Sequence, residues 1–207
     1  MADLFNMLKI TVGPDKLTAR VLVNPGAPVR TSEDIEGTAR VYYLAPGIAT
    51  HACLGDVGEH FQDCMADTEL AHLLEHLTVE IMKQTGLAGD VVSGRTRSVP
   101  EDERLFDVEL SCPDDALTVG ALSSAAFMMQ WAFLHPDQPA PDFPATVEAL
   151  RRLVLGLRGE DAGEADVVGN GDDGVEDVPC GPIDTEGASA VAHDVPANAQ
   201  FGGAAAE

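Results

Sequence analysis

Glu69-Leu-Ala-His72-Leu-Leu-Glu75-His76-Leu-Thr-Val-Glu80-Ile-Met-Lys83 reads as a single helix and holds the only closely spaced chemical constellation in the sequence. At about 100° per residue, Leu70, Leu73, Leu74, Leu77 and Ile81 form one apolar stripe, while His72, Glu75, His76 and Glu80 cluster on roughly the opposite side. This predicts a helix that buries its leucines and presents its histidines. Val79 and Met82 flank the histidine side, where a fully solvated helix would carry Lys, Glu or Gln, so another element is expected to cover part of that face. Asp67 or Thr68 is the expected N-cap and Gly86 the stop, for about five turns.

Two histidines four apart stand one turn above each other, so their rings can converge on one ion, and Zn2+ suits nitrogen donors of this kind. The spacing is HxxEH, the inverted form of the zinc-peptidase motif. There the glutamate, here Glu75, acts as general base toward a water that the ion acidifies. The same residues also fit a solvated helical face that carries two histidines and no ion. A catalytic zinc site needs a third protein ligand. Glu80 lies two turns from His72, about 12 Å along the axis, so a ligand from another element is geometrically easier.

The segment from Ile48 to Asp67 is dense in candidate donors: His51, Cys53, Asp56, Glu59, His60, Asp63 and Cys64. His51 is the favoured third ligand, with Glu80 expected to orient His76 from behind or to meet a basic substrate group. His51 and His60 can also be read as ordinary polar loop residues. Glu109 is a further candidate. Arg95 and Arg97, in a Gly-led loop of an acidic protein, could clamp a carboxylate through bidentate hydrogen bonds or belong to a solvated turn.

Around this helix the pattern predicts a small α+β domain. Residues 7 to 12 and 17 to 23 are β-rich and flank Gly13-Pro14-Asp15-Lys16, which is turn chemistry, so they form a hairpin. A very short helix at Ser32 to Asp34 and a third strand, Ala39 to Leu44, are expected next, ended by Pro46-Gly47. Leu105 to Cys112 alternates as a strand, with Phe106, Val108 and Leu110 on one side. Ala116 to Leu134 is an apolar helix expected to cover the sheet, and Ala145 to Leu157 a last amphipathic helix. The fold class is therefore a small, mostly antiparallel sheet under two or three helices, spanning residues 1–158. Residues 159–207 hold 12 acidic residues and no Lys or Arg, and are rich in Gly and Ala. They predict a disordered acidic tail.

The net charge of -23, with only 12 basic residues spread along the chain, argues against nucleic acid and for basic ligands. No segment reads as a membrane span, and the first residues lack a signal-peptide pattern. Cys53, Cys64, Cys112 and Cys180 form no CxxC pair, which fits reduced thiols and a cytoplasmic location. No Walker loop is present, and the GxGxxG match Gly169-Asn-Gly171-Asp-Asp-Gly174 falls in the acidic Gly/Ala-rich segment without the flanking strand and helix patterns of a dinucleotide-binding fingerprint, so nothing indicates ATP or dinucleotide binding.

Tyr43-Leu-Ala-Pro46-Gly47-Ile-Ala-Thr-His51-Ala-Cys53, Ala71-His72-Leu-Leu-Glu75-His76-Leu-Thr-Val-Glu80, Gly94-Arg-Thr-Arg97 and Phe106-Asp-Val-Glu-Leu resemble, in the same order, the N-terminal domain of cyanophycin synthetases. The resemblance covers roughly residues 40 to 126. In that family an ATP-grasp and a Mur-ligase-like domain build an aspartate-backbone polymer bearing arginine, and this chain is expected to carry neither. The resemblance implies the role of the N-terminal domain alone: to hold the polymer and, in some members, to cut it at a metal-dependent, peptidase-like site. It implies His72 and His76 as ligands, Glu75 as base, Glu80 in support, and Arg95 and Arg97 as partners for carboxylates. Ala71 stands where the family tends to have Gly, and the sequence after Glu80 diverges.

Two readings follow. One is a zinc-dependent hydrolase acting on an arginine- or aspartate-rich peptide or polymer. The other is a binding module that anchors such a polymer or docks on a polymerising partner, with self-association open in either case. A metal closed by four protein ligands would be structural instead.

Overall fold

The hairpin forms where its turn chemistry lies. In the computed structural model, which describes residues 3–53, 57–89 and 93–160, β1 (Phe5–Val12) and β2 (Lys16–Val23) pair antiparallel. The Gly13 N–H donates to the Lys16 carbonyl across the turn at 2.8 Å. Leu17, Ala19, Val21 and Val23 alternate onto the buried face of β2, as a half-buried strand requires.

The segment expected as a third strand is a helix, α1 (Ile35–Leu44). Asp34 decides this, since its carboxylate accepts from the Gly37 N–H at 2.8 Å and caps the first turn. Arg40 pairs with Glu36 one turn back. Gly37, Thr38 and Val41 are buried together at helical spacing, which a strand would have split between two faces. A 3-10 turn, Pro46–Thr50, follows, and then a short helix α2 (Phe61–Cys64).

The HxxEH segment is α3 (Leu70–Gln84). Its N-cap is Glu69, one or two residues after the expected caps, because Asp67 and Thr68 are engaged elsewhere. Asp67 accepts from Arg30 at 2.7 Å and from the Ser32 hydroxyl at 2.6 Å, and the Thr68 N–H donates to the Thr31 hydroxyl at 2.9 Å. The start of α3 is thus pinned to residues 30–32. Its end is as expected, with Gly86 in the left-handed region at φ 69°.

The Gly94–Arg97 segment is no loop either. It begins β3 (Gly94–Val99), which pairs antiparallel with β4 (Asp102–Ser111). The sheet order is β1-β2-β4-β3, so β3 is an edge strand. Phe106, Val108 and Leu110 of β4 stand opposite Val21, Ala19 and Leu17 of β2, and all six are buried.

On that face lies α3, packed on β2, β3 and β4. The sequence assigned this place to the apolar helix α4 (Asp115–Leu134), which instead packs on α1, α3 and α5 (Phe143–Arg158) and meets the sheet at β1. Sandwiched between sheet and helices, α3 is buried on all sides from Leu73 to Met82, its polar residues included. The histidine face, expected to be partly covered by another element, is thus buried from Leu73 on, with His72 half-buried.

At 20 residues, α4 is long and apolar enough to cross a membrane by length and composition, contrary to the sequence reading, and half of that window is buried inside the domain. Apart from Gly159 and Glu160, the tail expected from residue 159 onward lies outside the described residues, as do Asp56 and Cys180.

Candidate metal centre

The interior position of α3 turns each polar side chain of the motif toward a partner. Thr68 Oγ1 lies 2.8 Å from His72 Nδ1 and 3.3 Å from Glu69 Oε2; in the tautomer with the proton on Nδ1, His72 donates to the hydroxyl while the hydroxyl donates to the Glu69 carboxylate. In that tautomer His72 Nε2 carries the lone pair that faces Cys53 Sγ at 3.6 Å and His76 Nε2 at 3.1 Å. That tautomer suits the network around the ring.

A second chain of contacts fixes His76. The Gln84 amide donates to Glu80 Oε1 at 2.8 Å, and Glu80 Oε2 lies 2.7 Å from His51 Nε2. The hydrogen bond from His51 holds the Glu80 carboxylate below its usual range, so it is ionised and accepts from His51 Nε2–H. His51 Nδ1 is then a lone pair facing His76 Nδ1 at 3.2 Å, which must carry the proton. By this relay His76 Nε2 is also a lone pair, and it faces His72 Nε2 at 3.1 Å.

Two ring lone pairs turned toward each other at that distance call for a cation between them. Burial, together with the nearby His72 and His51, lowers the His76 pKa to about 3, so at neutral pH a proton is disfavoured there. Phe61 stacks on the His76 ring at 4.0 Å between centroids and shields it from solvent. The residues present therefore fit a divalent metal ion, with the outer contacts that metal-ligating histidines ordinarily make.

Two donor groups meet at His72: His72, Glu75 and His76, and separately Cys53, Cys64 and His72, each with its ligand atoms within 4.8 Å of one another. In the sequence Cys53 and Cys64 stand among the candidate donors of one segment and otherwise read as reduced thiols. Their signal was that density, and their convergence depends on a fold that brings positions 53, 64 and 72 together.

His51, expected as the third ligand, instead stands behind His76 at its Nδ1, so it orients that ring and does not share its Nε2 side. Glu80 supports His76 through His51 rather than directly. Glu109 is corrected outright. It lies on the far face of the sheet from α3, where Arg97 donates to it at 2.6 Å.

Glu75 is 5% exposed, and the Thr96 hydroxyl on β3 donates to its Oε2 at 2.6 Å, a contact no sequence spacing suggested. Opposite it, Gly94 has no side chain to spare: a Cβ there would fall on Glu75 Cγ. Gly94→Ala is expected to cost about 1–3 kcal/mol by overpacking around Glu75. Gly156→Ala, at an open position of α5, is expected to be neutral or stabilising by up to about 1 kcal/mol. Urea unfolding of the pair checks this, and equal effects would refute the tight fit.

A cleft of about 730 Å³ opens onto His72, Glu75 and His76, bounded by Cys53 and by the edge strand β3 with Arg95 and Arg97. Fold and donor set together define a small α+β domain with a buried histidine, glutamate and cysteine cluster at the base of a cleft. The profile of the cyanophycin synthase-like N-terminal domain matches residues 24–131, just over half of the chain, and the protein belongs to that family. The match spans α1 through most of α4 and so includes every residue of the cluster. No curated protein matches the chain.

Proposed function

We propose that the chain is a metal-dependent, peptidase-like hydrolase acting on an arginine- or aspartate-rich peptide or a cyanophycin-like polymer. The observation that carries this reading is the pair of Nε2 atoms of His72 and His76, 3.1 Å apart at the base of a cleft that Glu75 also lines. A zinc ion bound there supplies Lewis-acid polarisation of a scissile carbonyl and lowers the pKa of water.

The chain's own residues account for the rest. Glu75, steadied by Thr96, takes the proton of the attacking water and returns it to the leaving amine. Its burial among β3 and α3 keeps bulk water from competing for that proton. The backbone of β3, an edge strand along the cleft, suits an extended peptide laid beside it. Arg95 on the strand that bounds the cleft suits a substrate carboxylate, Arg97 doing so only if it exchanges its Glu109 partner, and the net charge of -23 suits arginine side chains.

The test is metal content by mass spectrometry for wild type and His72→Ala, with cleavage of an arginine-bearing aspartyl polymer followed on the same samples. Near-stoichiometric zinc and new chain ends in the wild type, both lost in His72→Ala, are expected. A wild type that takes up no metal after zinc reconstitution overturns the hydrolase and leaves polymer binding without catalysis as the function.

A further inference from the structure

We infer that Cys53 and Cys64 are thiolate ligands of the ion held by His72, so that the centre is a sulfur–nitrogen site and Glu75 is left unligated. This rests on the metal reading above and specifies its ligand set.

A site with Glu75 as base needs a third donor, because a carboxylate bound to the ion has no free lone pair of comparable basicity for a proton. His51 does not supply it, being behind His76. The sulfur atoms do lie on the correct side. Cys53 Sγ is 3.6 Å from His72 Nε2, and Cys64 Sγ is 3.9 Å from Cys53 Sγ.

These spacings can be compared with a tetrahedron. Bonds of about 2.3 Å to sulfur and about 2.05 Å to nitrogen give sulfur–sulfur edges of about 3.8 Å and sulfur–nitrogen edges of about 3.6 Å. Both observed separations agree to about 0.1 Å. A disulfide would need the sulfurs at about 2.05 Å; as neutral thiols the same atoms make hydrogen bonds at these distances, the Cys64 thiol also donating to the Phe61 carbonyl at 3.4 Å, so the cobalt spectrum decides between thiol and thiolate.

The loop that presents the cysteines is built to hold them. The Cys53 N–H donates to the Glu59 carbonyl at 3.0 Å, and the Phe61 N–H donates to the His51 carbonyl at 2.8 Å. Residues 51–53 and 59–61 are thereby tied together, and α2 carries Cys64 in at its last residue. Both thiols are buried, 6% and 8% exposed, beside the same imidazole. Thiolates and imidazoles select zinc, and exclude magnesium and calcium, which prefer oxygen. With His76, whose Nε2 faces the same ion, Cys53, Cys64 and His72 make four protein ligands, so the attacking water would enter as a fifth from the cleft, an expansion zinc allows in a transition state.

The experiment uses the full chain, stripped with a chelator and reconstituted with Co2+ without oxygen, and reads the absorption spectrum. One cobalt per chain with a sulfur-to-cobalt charge-transfer band in the near ultraviolet is expected. Cys53→Ser and Cys64→Ser should each diminish that band and weaken zinc binding more than about tenfold, whereas Glu75→Gln should leave it intact. One cobalt per chain without the band in the wild type overturns thiolate ligation and leaves a metal on His72 and His76 with Glu75 as base, so the proposed function survives. No cobalt and no zinc uptake overturns both. Because the wild-type spectrum decides, a cysteine variant that fails to fold does not obscure the outcome.

Discussion

Glu75→Gln is expected to lower kcat by about 10²–10⁴-fold, equivalent to about 3–5 kcal/mol of transition-state stabilisation, while bound metal stays near one per chain. Glutamine keeps the shape of the side chain and can still accept from the Thr96 hydroxyl, so the packing between α3 and β3 is preserved. What it loses is the ability to take a proton. KM should change little, because Glu75 sits at the base of the cleft and not among the rim residues that would meet substrate. Measurement of kcat, KM and zinc content on one preparation separates the roles. Loss of metal together with activity would make Glu75 a ligand, and unchanged kcat would end the assignment of a base.

The elements that could be read from the chain are those whose determinants are local. Gly13-Pro14-Asp15 turns the hairpin, and the leucine spacing and Gly86 delimit α3. Tertiary partners decide the others. Val41-Tyr42-Tyr43-Leu44 has the propensity of a strand, yet the Asp34 cap and the burial of Gly37, Thr38 and Val41 against α4 make it helical. Gly94-Arg-Thr-Arg97 carries turn and charge signals and becomes a strand only because β4 offers it an edge.

The site divides in the same way. His72, Glu75 and His76 are legible from spacing alone, because one helical turn places them together. The contacts that give them their chemistry cross long stretches of sequence: His51 to Glu80, Thr96 to Glu75, Cys53 to His72. The polar side of α3 looked only partly covered for a related reason. Periodicity reports which side chains are polar, and it does not report that a second set of buried polar groups waits to receive them. A helix with buried Glu75, His76 and Glu80 is tolerable only as part of such a satisfied network.

That network makes the metal-free protein acid-sensitive, and His76 sets most of the effect. Its folded pKa of about 3 lies below the ordinary 6.5 because burial disfavours the imidazolium. Below pH 6.5 the unfolded chain binds a proton at this position that the folded chain does not, so stability falls as pH drops from about 6.5 toward about 3. The difference corresponds to a loss on the order of 5 kcal/mol across the window. Glu80 adds to it in a lower range. Its carboxylate is depressed by His51, so its contribution is present above the ordinary carboxylate range and is lost as pH falls through its lowered folded value. Urea unfolding in the presence of a chelator at pH 7, 5.5 and 4.5 should therefore show a steady decline before Glu80 titrates. His76→Phe, which keeps a ring to stack on Phe61, should flatten it. A wild-type stability constant from pH 7 to 4.5 would refute the burial argument. Zinc should raise stability most at pH 7 and least at 4.5, because its ligands must release their protons before they can bind it.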